Sequence, residues 1–302
     1  MKAVVLTDYG DVDKLELRDV PDPRAAQGEL VVRMAGASIN PIDWKMRSGA
    51  AKARFPLQLP AILGRDVAGE VVEVGAGVDG FAVGDRVLGL VWRGYAERVA
   101  APVDAWAKLP AGLDVVDAGA LPLILLTGVQ LAEEAVRPAR GSTVLVTGAV
   151  GSVGRAALFA ARAAGANVWA GVRASQRDEA AKLGASGVVA LDDAADLRKL
   201  PQLDAIANTV DGETVARLYE KLKPGGVIGS VLGEPPGAKE RGFAVHAFTA
   251  HPSPPTLSKY ATLVAKGELV IPIAKRFPLA RAAEAQRFAE KEHPPGKVVL
   301  VG

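Results

Sequence analysis

The chain has 302 residues, of which 49% are hydrophobic, enough for a large core and room for roughly two domains of ordinary size. It has no cysteine, which excludes disulfides, thiolate zinc sites and cysteine-nucleophile catalysis. Thirty-six basic against 34 acidic side chains leave a net charge of +2, too balanced for an electrostatic nucleic-acid binder. The N-terminal MKAVVLTDYGDVDKLEL turns acidic by Asp8 and lacks the apolar core of a signal peptide. The longest apolar run, Ala118 to Val129, is broken by Pro122, Thr127 and Gly128 and falls short of the ~18 residues of a membrane span. A cytoplasmic protein with no membrane partner is expected.

The first 110 or so residues read as short strands and turns. Lys2–Leu6, Leu15–Asp19, Leu30–Ala37, Gly69–Val74, Arg86–Leu90 and Tyr95–Ala100 are β-branched or alternating runs separated by turn formers such as Ala76-Gly77 and Gly84-Asp85. They predict a barrel-like β module. From Leu113 strands and helices alternate. A helix is predicted over Asp117–Val136, ending before Pro138, then a strand at Thr143–Val146 and an Ala-rich helix at Val153–Ala164. Next come a strand at Val168–Val172, a helix at Gln176–Leu183 with Ser175 as N-cap, and strands at Val188–Leu191 and Asp204–Ala207. A helix at Thr214–Leu222 and a strand at Val227–Leu232 close the series. One helix between successive strands means parallel βαβ units and a doubly wound sheet.

After Phe248 the alternation lapses into His251-Pro252-Ser253-Pro254-Pro255, followed by helices at Thr256–Lys266 and near Ala280–Lys291. The last run, Lys297–Val301, is a strand without a local partner, so it is expected to return to the β module. The expected division is a discontinuous domain of residues 1–118 and 248–302 around a dinucleotide-binding domain of residues 119–247.

The sharpest motif is Thr147-Gly148-Ala149-Val150-Gly151-Ser152-Val153-Gly154, a glycine turn between a predicted strand and a predicted helix. Glycines there let the backbone at Val150, Gly151, Ser152 and Val153 approach a pyrophosphate, and the helix N-terminus adds partial positive charge. An NAD site places a carboxylate ~20 residues on, against the ribose hydroxyls. This chain instead reads Val172-Arg173-Ala174-Ser175-Gln176-Arg177, so Arg173, Ser175 and Arg177 are candidate ligands of a 2′-phosphate and NADP(H) is the expected cofactor. Asn208 and Val210 after the fourth strand, and Val231, Leu232 and Gly233 after the fifth, occupy strand C-termini, where doubly wound sheets bind ligands.

In order and spacing, the chain resembles the medium-chain dehydrogenase/reductase superfamily, in its zinc-independent quinone oxidoreductase, zeta-crystallin-like branch. The likeness rests on Ala37–Gly49, Leu63–Val72, Gly84-Asp85-Arg86-Val87, the glycine turn, Leu222–Gly226 and Gly296–Leu300. It implies a Rossmann domain beside a GroES-like, β-rich catalytic domain. Zinc members carry Cys where this chain has Ser38 or Asn40, and Gly-His-Glu where it reads Gly64-Arg65-Asp66; they also insert a four-cysteine lobe that is absent here. No metal is therefore expected, and His246, His251 and His293 read as surface or core side chains rather than ligands.

The resemblance further implies an acceptor lying against the nicotinamide, with Asn40 and Lys45 projecting toward it from the Asn40–Lys45 turn. Hydride would pass from NADPH to a quinone, or to the β-carbon of an enone, with Lys45 countering the developing charge and Asn40 orienting substrate or nicotinamide. Thr127 resembles the family's threonine near the nicotinamide ribose, and Phe248 lies where the family lines the nicotinamide pocket. Lys297 reads either way, in that pocket or in a strand-end salt bridge. Asp43 is expected to brace its turn, and Asp66 to pair with Arg65, Arg47 or Arg86. Two rivals stay open: an alkenal/enone double-bond reductase and a non-catalytic NADPH-binding protein. A homodimer through the short apolar edge strand near Gly242–His246 is the family expectation.

Overall fold

The computed structural model describes residues 1–302, which divide into two compact units, Met1–Leu123 with Pro252–Gly302, and Ile124–His251. The first unit is built from β1 (Lys2–Leu6), β2 (Leu15–Asp19), β3 (Glu29–Ile39), β4 (Ala61–Ile62), β5 (Asp66–Val74), β6 (Arg86–Leu90), β7 (Arg98–Pro102) and β8 (Trp106–Lys108). The second holds β9 (Thr143–Thr147), β10 (Asn167–Val172), β11 (Gly187–Ala190), β12 (Leu203–Asn208), β13 (Leu222–Ser230) and β14 (Ala244–Ala247). The chain then returns to the first unit with β15 (Ile273–Pro278) and β16 (Lys297–Val301).

In the first unit the main sheet runs β15-β16-β3-β5-β6-β8 with β7 also on β3, and a smaller sheet runs β2-β1-β4. The long β3 is buried at Leu30, Val31 and Val32 and again from Gly36 on, and it forms the spine of a core that includes Val67, Val87, Trp106, Phe277 and Leu300. β16 pairs antiparallel with the end of β3, Val298 opposite Ile39, which brings Lys297 beside Asn40. β15, parallel to β16, was not expected from the sequence. Its residues Ala274, Lys275 and Arg276 are exposed, so this edge strand lacks the apolar alternation that marks the others.

Asn40–Lys45 is not a turn but the start of a helix, Pro41–Arg47. Pro41 occupies the first helical position, where its missing N–H costs nothing. Asn40 stays extended, its N–H donates to Asp43 Oδ2 at 2.7 Å, and the Asp43 N–H returns to the Asn40 carbonyl at 2.9 Å. The helix expected over Asp117–Val136 is divided into Val115–Ala118, Pro122–Gln130 and a π-type stretch, Leu131–Val136. Gly119 and Pro122 account for the first break, since proline ends one helix and starts the next. Gly119 is also needed for packing: a Cβ there would lie 2.3 Å from the Gly36 carbonyl oxygen.

In the second unit the six strands run β11-β10-β9-β12-β13-β14, every pair parallel. The order reverses between β9 and β12, the switch point at which open α/β sheets bind ligands. Leu145, Val189, Ile206, Val215 and Ile228 anchor the core on this sheet. Ser175 is not an N-cap: Ala174–Gln176 form a 3-10 turn in which Gln176 Oε1 accepts from the Arg173 N–H at 3.1 Å, and a short helix follows at Arg177–Ala180. No helix is long and apolar enough to cross a membrane.

Candidate active site

On the second unit, the glycine turn joins β9 to the helix Ser152–Ala163, and its three glycines differ in what requires them. Gly148 has φ +64°, and a Cβ there would meet Thr209 Oγ1 at 2.5 Å. At Gly154 a Cβ would meet the Gly148 carbonyl oxygen at 2.2 Å, so the helix could not seat on the turn. Gly151 has ordinary extended angles, and its nearest atom is Gly148 O at 3.2 Å. Packing demands the outer two absolutely; at the middle one a methyl group would need only a shift of a few tenths of an ångström. Gly151 is also the helix N-cap and offers no side chain to the first N–H groups; its own N–H donates to the Gly148 carbonyl at 2.9 Å, which leaves the Ser152 and Val153 N–H groups at the electropositive helix start suited to a pyrophosphate. Arg155, which the sequence reading missed, braces the turn from beneath. It is buried, its Nε donates to the Val150 carbonyl at 2.9 Å, and it is ion-paired to Glu179.

Across the switch point, Thr147, Asn208 and Ser230 are buried and bonded together. Thr147 Oγ1 donates to Asn208 Oδ1 at 2.9 Å, while Asn208 Nδ2 donates to the Val210 carbonyl at 2.9 Å and to Ser230 Oγ at 3.1 Å. Val210 N–H also donates to Asn208 Oδ1. Both ends of the Asn208 amide are thus consumed, and the side chain clamps strand ends instead of reaching a ligand as the sequence suggested. Val210, Val231 and Gly233 stand half-buried and Leu232 exposed at those ends, Phe248 is half-buried with its N–H on the Ser230 carbonyl, and Thr127 is half-buried on its helix.

At the end of β10, Arg173 and Ser175 are exposed. Arg177 is held by Asp193 at 3.1 Å and by Asp196 at 2.8 Å. Asp192 Oδ1 accepts from the Ala174 N–H at 2.8 Å. Of the two candidate phosphate-binding arginines, one is free and one is tethered.

On the first unit a buried polar network forms where β3, β5 and β16 meet. Asp66 accepts from Ser38 Oγ at 2.6 Å and Asn40 Nδ2 at 2.7 Å, and its second oxygen accepts from the Leu123 N–H. Lys297 Nζ donates to Asn40 Oδ1 at 2.6 Å and to the Ile39 carbonyl at 3.0 Å. Asp66 therefore pairs with none of the three arginines expected; Arg47 instead bonds Gln286 and Glu290. Asn40 is 1% exposed with its amide spent at both ends, so it does not project toward a substrate. Lys297 is enclosed rather than at a strand-end salt bridge, and burial lowers its pKa while Asp66 and Asp43 hold it up. Asp43 does brace its segment, accepting from Asn40 N–H and from Tyr95 Oη at 2.8 Å. Burial pushes its pKa up to about 7 against the pull of those two bonds. Lys45 is half-buried with no ion pair.

Ser38, Asn40, Arg65, Asp66 and Lys297 do not make a site for a divalent metal: one carboxylate is set among an amide, a hydroxyl and two cations. No cluster of three or more metal-ligating side chains occurs. A nicotinamide dinucleotide suits the second unit, since the helix Ser152–Ala163 starts at the end of a switch-point strand with no side chain capping its first N–H groups.

A glycine turn at the switch point of a six-stranded parallel sheet, carried with a GroES-like β unit, defines an oxidoreductase fold, and the chain belongs to the medium-chain dehydrogenase/reductase superfamily, among its quinone oxidoreductase-like members. Residues 26–111 match the alcohol dehydrogenase GroES-like domain and residues 183–300 the zinc-binding dehydrogenase family. It is 30% identical to a chloroplast envelope quinone oxidoreductase homolog of Arabidopsis thaliana, over 99% of this chain and 98% of that one. It is 29% identical to an NADPH-dependent alkenal/one oxidoreductase of the same plant, over 99% of this chain and 79% of that one. The solved quinone oxidoreductase from Coxiella burnetii superposes with a TM-score of 0.89 at 28% identity, covering 100% of this chain and 99% of that one. The zinc-binding family to which the C-terminal part is similar stands beside a donor set that does not fit zinc.

Proposed function

We propose that this protein is a zinc-free, NADPH-dependent oxidoreductase that passes hydride to quinones or related activated carbonyl acceptors. The observation that carries the cofactor half is Gly151, the glycine of the turn that packing constrains least, at the head of a helix with no side-chain cap. The exposed Arg173 and Ser175, with no acidic residue in Val172–Arg177, favour a 2′-phosphate over a free hydroxyl, and Asp192, the carboxylate that reaches the backbone of this segment, is bonded to the Ala174 N–H. When bound, the reduced nicotinamide supplies the hydride. The Ser152 and Val153 N–H groups would hold the pyrophosphate, and Thr147, Asn208 and Ser230 keep the strand ends rigid.

On the first unit, Lys45 supplies positive charge for the acceptor oxygen as it becomes negative, while Asn40, Asp66 and Lys297 hold the helix Pro41–Arg47 on its strand. Without a Lewis acid to stabilise an alkoxide, reduction of an electrophilic acceptor suits this residue set better than alcohol oxidation. A second reading, reduction of alkenals and enones, is favoured by the relative of that name, which matches nearly the whole chain. A homodimer through the outer edge of β14 accompanies either reading.

The test is NADPH oxidation against a panel of 1,2- and 1,4-quinones and short and long alkenals, with NADH in parallel. Turnover with quinones supports the main reading, and turnover confined to alkenals the second. Tight NADPH binding with no oxidation by any acceptor would make the protein a non-catalytic binder.

A further inference from the structure

Arg65 is a buried guanidinium with no carboxylate partner. It is 6% exposed, its Nε donates to the Val91 carbonyl at 2.9 Å, and it lies over the Trp92 ring at 3.6 Å. The nearest acids are already committed: Asp66 to Ser38, Asn40 and Leu123, and Asp43 to Asn40 and Tyr95. Burial lowers the Arg65 pKa, the mark of a cation that lacks full compensation. Its two Nη groups meet no acceptor in the chain. They are also not enclosed, because the enclosed unpartnered side-chain atoms are Asp43 Oδ1 and Gln286 Nε2 alone. The fork therefore keeps some solvent contact, with its hydrogen-bonding capacity unused. The charges of Asp43 and Asp66 and the face of Trp92 offset part of the cost of burying this cation, and its Nη hydrogens are left for an anion.

Trp92 is 49% exposed, unusual for so large an aromatic, and Phe55 is tilted against it with ring centroids 6.1 Å apart. The platform is rigid. Val91 N–H donates to the Arg65 carbonyl at 2.9 Å, Gly94 N–H to Gly64 O at 3.2 Å and Tyr95 N–H to Leu63 O at 3.0 Å, so segments 63–65 and 91–95 are laced together. Between these ties Arg93 adopts φ +63°, a left-handed conformation that non-glycine residues rarely adopt. Arg93 is exposed and adds a further positive charge beside the ring.

We propose that Arg65 and Trp92 form a recognition site for a flat aromatic acceptor that carries a negative charge: its ionised hydroxyl, carboxylate or sulfonate takes the Arg65 fork, which stays stacked on one face of Trp92, and its ring packs against the edge of the indole. This deepens the proposed function and rests on it for the identity of the ligand as an acceptor; the binding itself stands on Arg65 and Trp92. Guanidinium forks match such anions with two parallel charge-assisted bonds, and aromatic pairs favour edge-to-face contact as well as offset stacking.

The experiment compares 2-hydroxy-1,4-naphthoquinone, ionised at neutral pH, with its neutral analogue 2-methoxy-1,4-naphthoquinone. Equilibrium binding to the full chain is measured without cofactor, by calorimetry and by tryptophan fluorescence quenching. The ionised quinone is expected to bind about tenfold tighter or more, an advantage that shrinks with added salt. Arg65→Met removes the advantage and leaves the methoxy compound unchanged, Arg65→Lys keeps part of it, and Trp92→Ala weakens both ligands. Equal affinities in the unaltered protein overturn the proposal, even if the variants fail to fold, and so does an advantage that survives Arg65→Met. NADPH oxidation with the same pair reports on the proposed function separately: no turnover with either defeats that reading, while the affinity ratio still judges this one.

Discussion

Lys297 Nζ donates to Asn40 Oδ1 at 2.6 Å, joining residues 257 positions apart. The pairing of Val298 with Ile39 sets the contact, and the other end of the same amide donates to Asp66 at 2.7 Å. Asn40 thus lies between a buried ammonium and a buried carboxylate, its dipole aligned with both. An amide in this position separates opposite charges that would otherwise be dehydrated without partners.

Removing the ammonium should therefore be costly. Lys297→Met leaves Asn40 Oδ1 and the Ile39 carbonyl without a donor and Asp66 without its nearest cation, for an expected loss of about 2–4 kcal/mol in urea unfolding. Asn40→Ala should couple strongly to it, so that the double variant is far less destabilised than the sum of the singles. Additive effects would mean that the three groups do not act as a unit.

Asp43 gives a pH dependence of definite sign. Its folded pKa is raised by burial from 3.8 to about 7, while unfolded it titrates as an ordinary carboxylate. Between those values the folded state holds the extra proton, so its contribution is present below the unfolded pKa and is lost as pH rises toward 7, by up to ~1.4 kcal/mol per pH unit. Its unpartnered oxygen, Oδ1, agrees with a neutral acid more than with a carboxylate. Asp43→Asn should flatten the slope of unfolding free energy against pH across that window, as measured by urea titrations at several pH values. An unchanged slope would show that another group carries it.

The parts of this structure that could be read from the sequence are those whose physics is local. The βαβ alternation and the glycine turn are visible because helix period, strand composition and glycine spacing all act within a dozen residues. The Asn40–Lys45 segment misleads because Asn-Pro reads as a turn, yet proline at the first helical position and Asp43 two residues later make a helix start. The partners of Asp66 and Lys297 could not be read, since they depend on which strand lies beside β3. Arg65 and Trp92 are both plain in the sequence, but only the backbone bonds between segments 63–65 and 91–95, with the bond from Arg65 to Val91, bring the two together.

The unequal glycines of the nucleotide turn predict opposite failures. At Gly151 a methyl group meets only Gly148 O at 3.2 Å, so Gly151→Ala should melt within a few degrees of the unaltered protein yet bind NADPH about tenfold or more weaker. At Gly154 the same methyl meets backbone at 2.2 Å, so Gly154→Ala should lose stability outright. Thermal melts paired with NADPH titration separate the two. Unchanged affinity in Gly151→Ala would remove the turn from the cofactor site.

Arg173 and Arg177 should contribute unequally to cofactor choice. Arg177 is already bound to Asp193 and Asp196, so a 2′-phosphate would have to compete with two carboxylates for it. Arg173 is exposed and carries no such pair, and its charge is available at the end of β10. Arg173→Ala should raise the KM for NADPH by about tenfold and leave that for NADH nearly unchanged, whereas Arg177→Ala should cost NADPH less. Arg177→Ala should also loosen Asp196, which accepts from the Ala190 N–H at 2.9 Å, and so lower stability where Arg173→Ala does not. Steady-state kinetics with both cofactors, paired with thermal melts, read the two effects separately. Equal losses for NADPH and NADH in Arg173→Ala would show that this arginine does not read the phosphate.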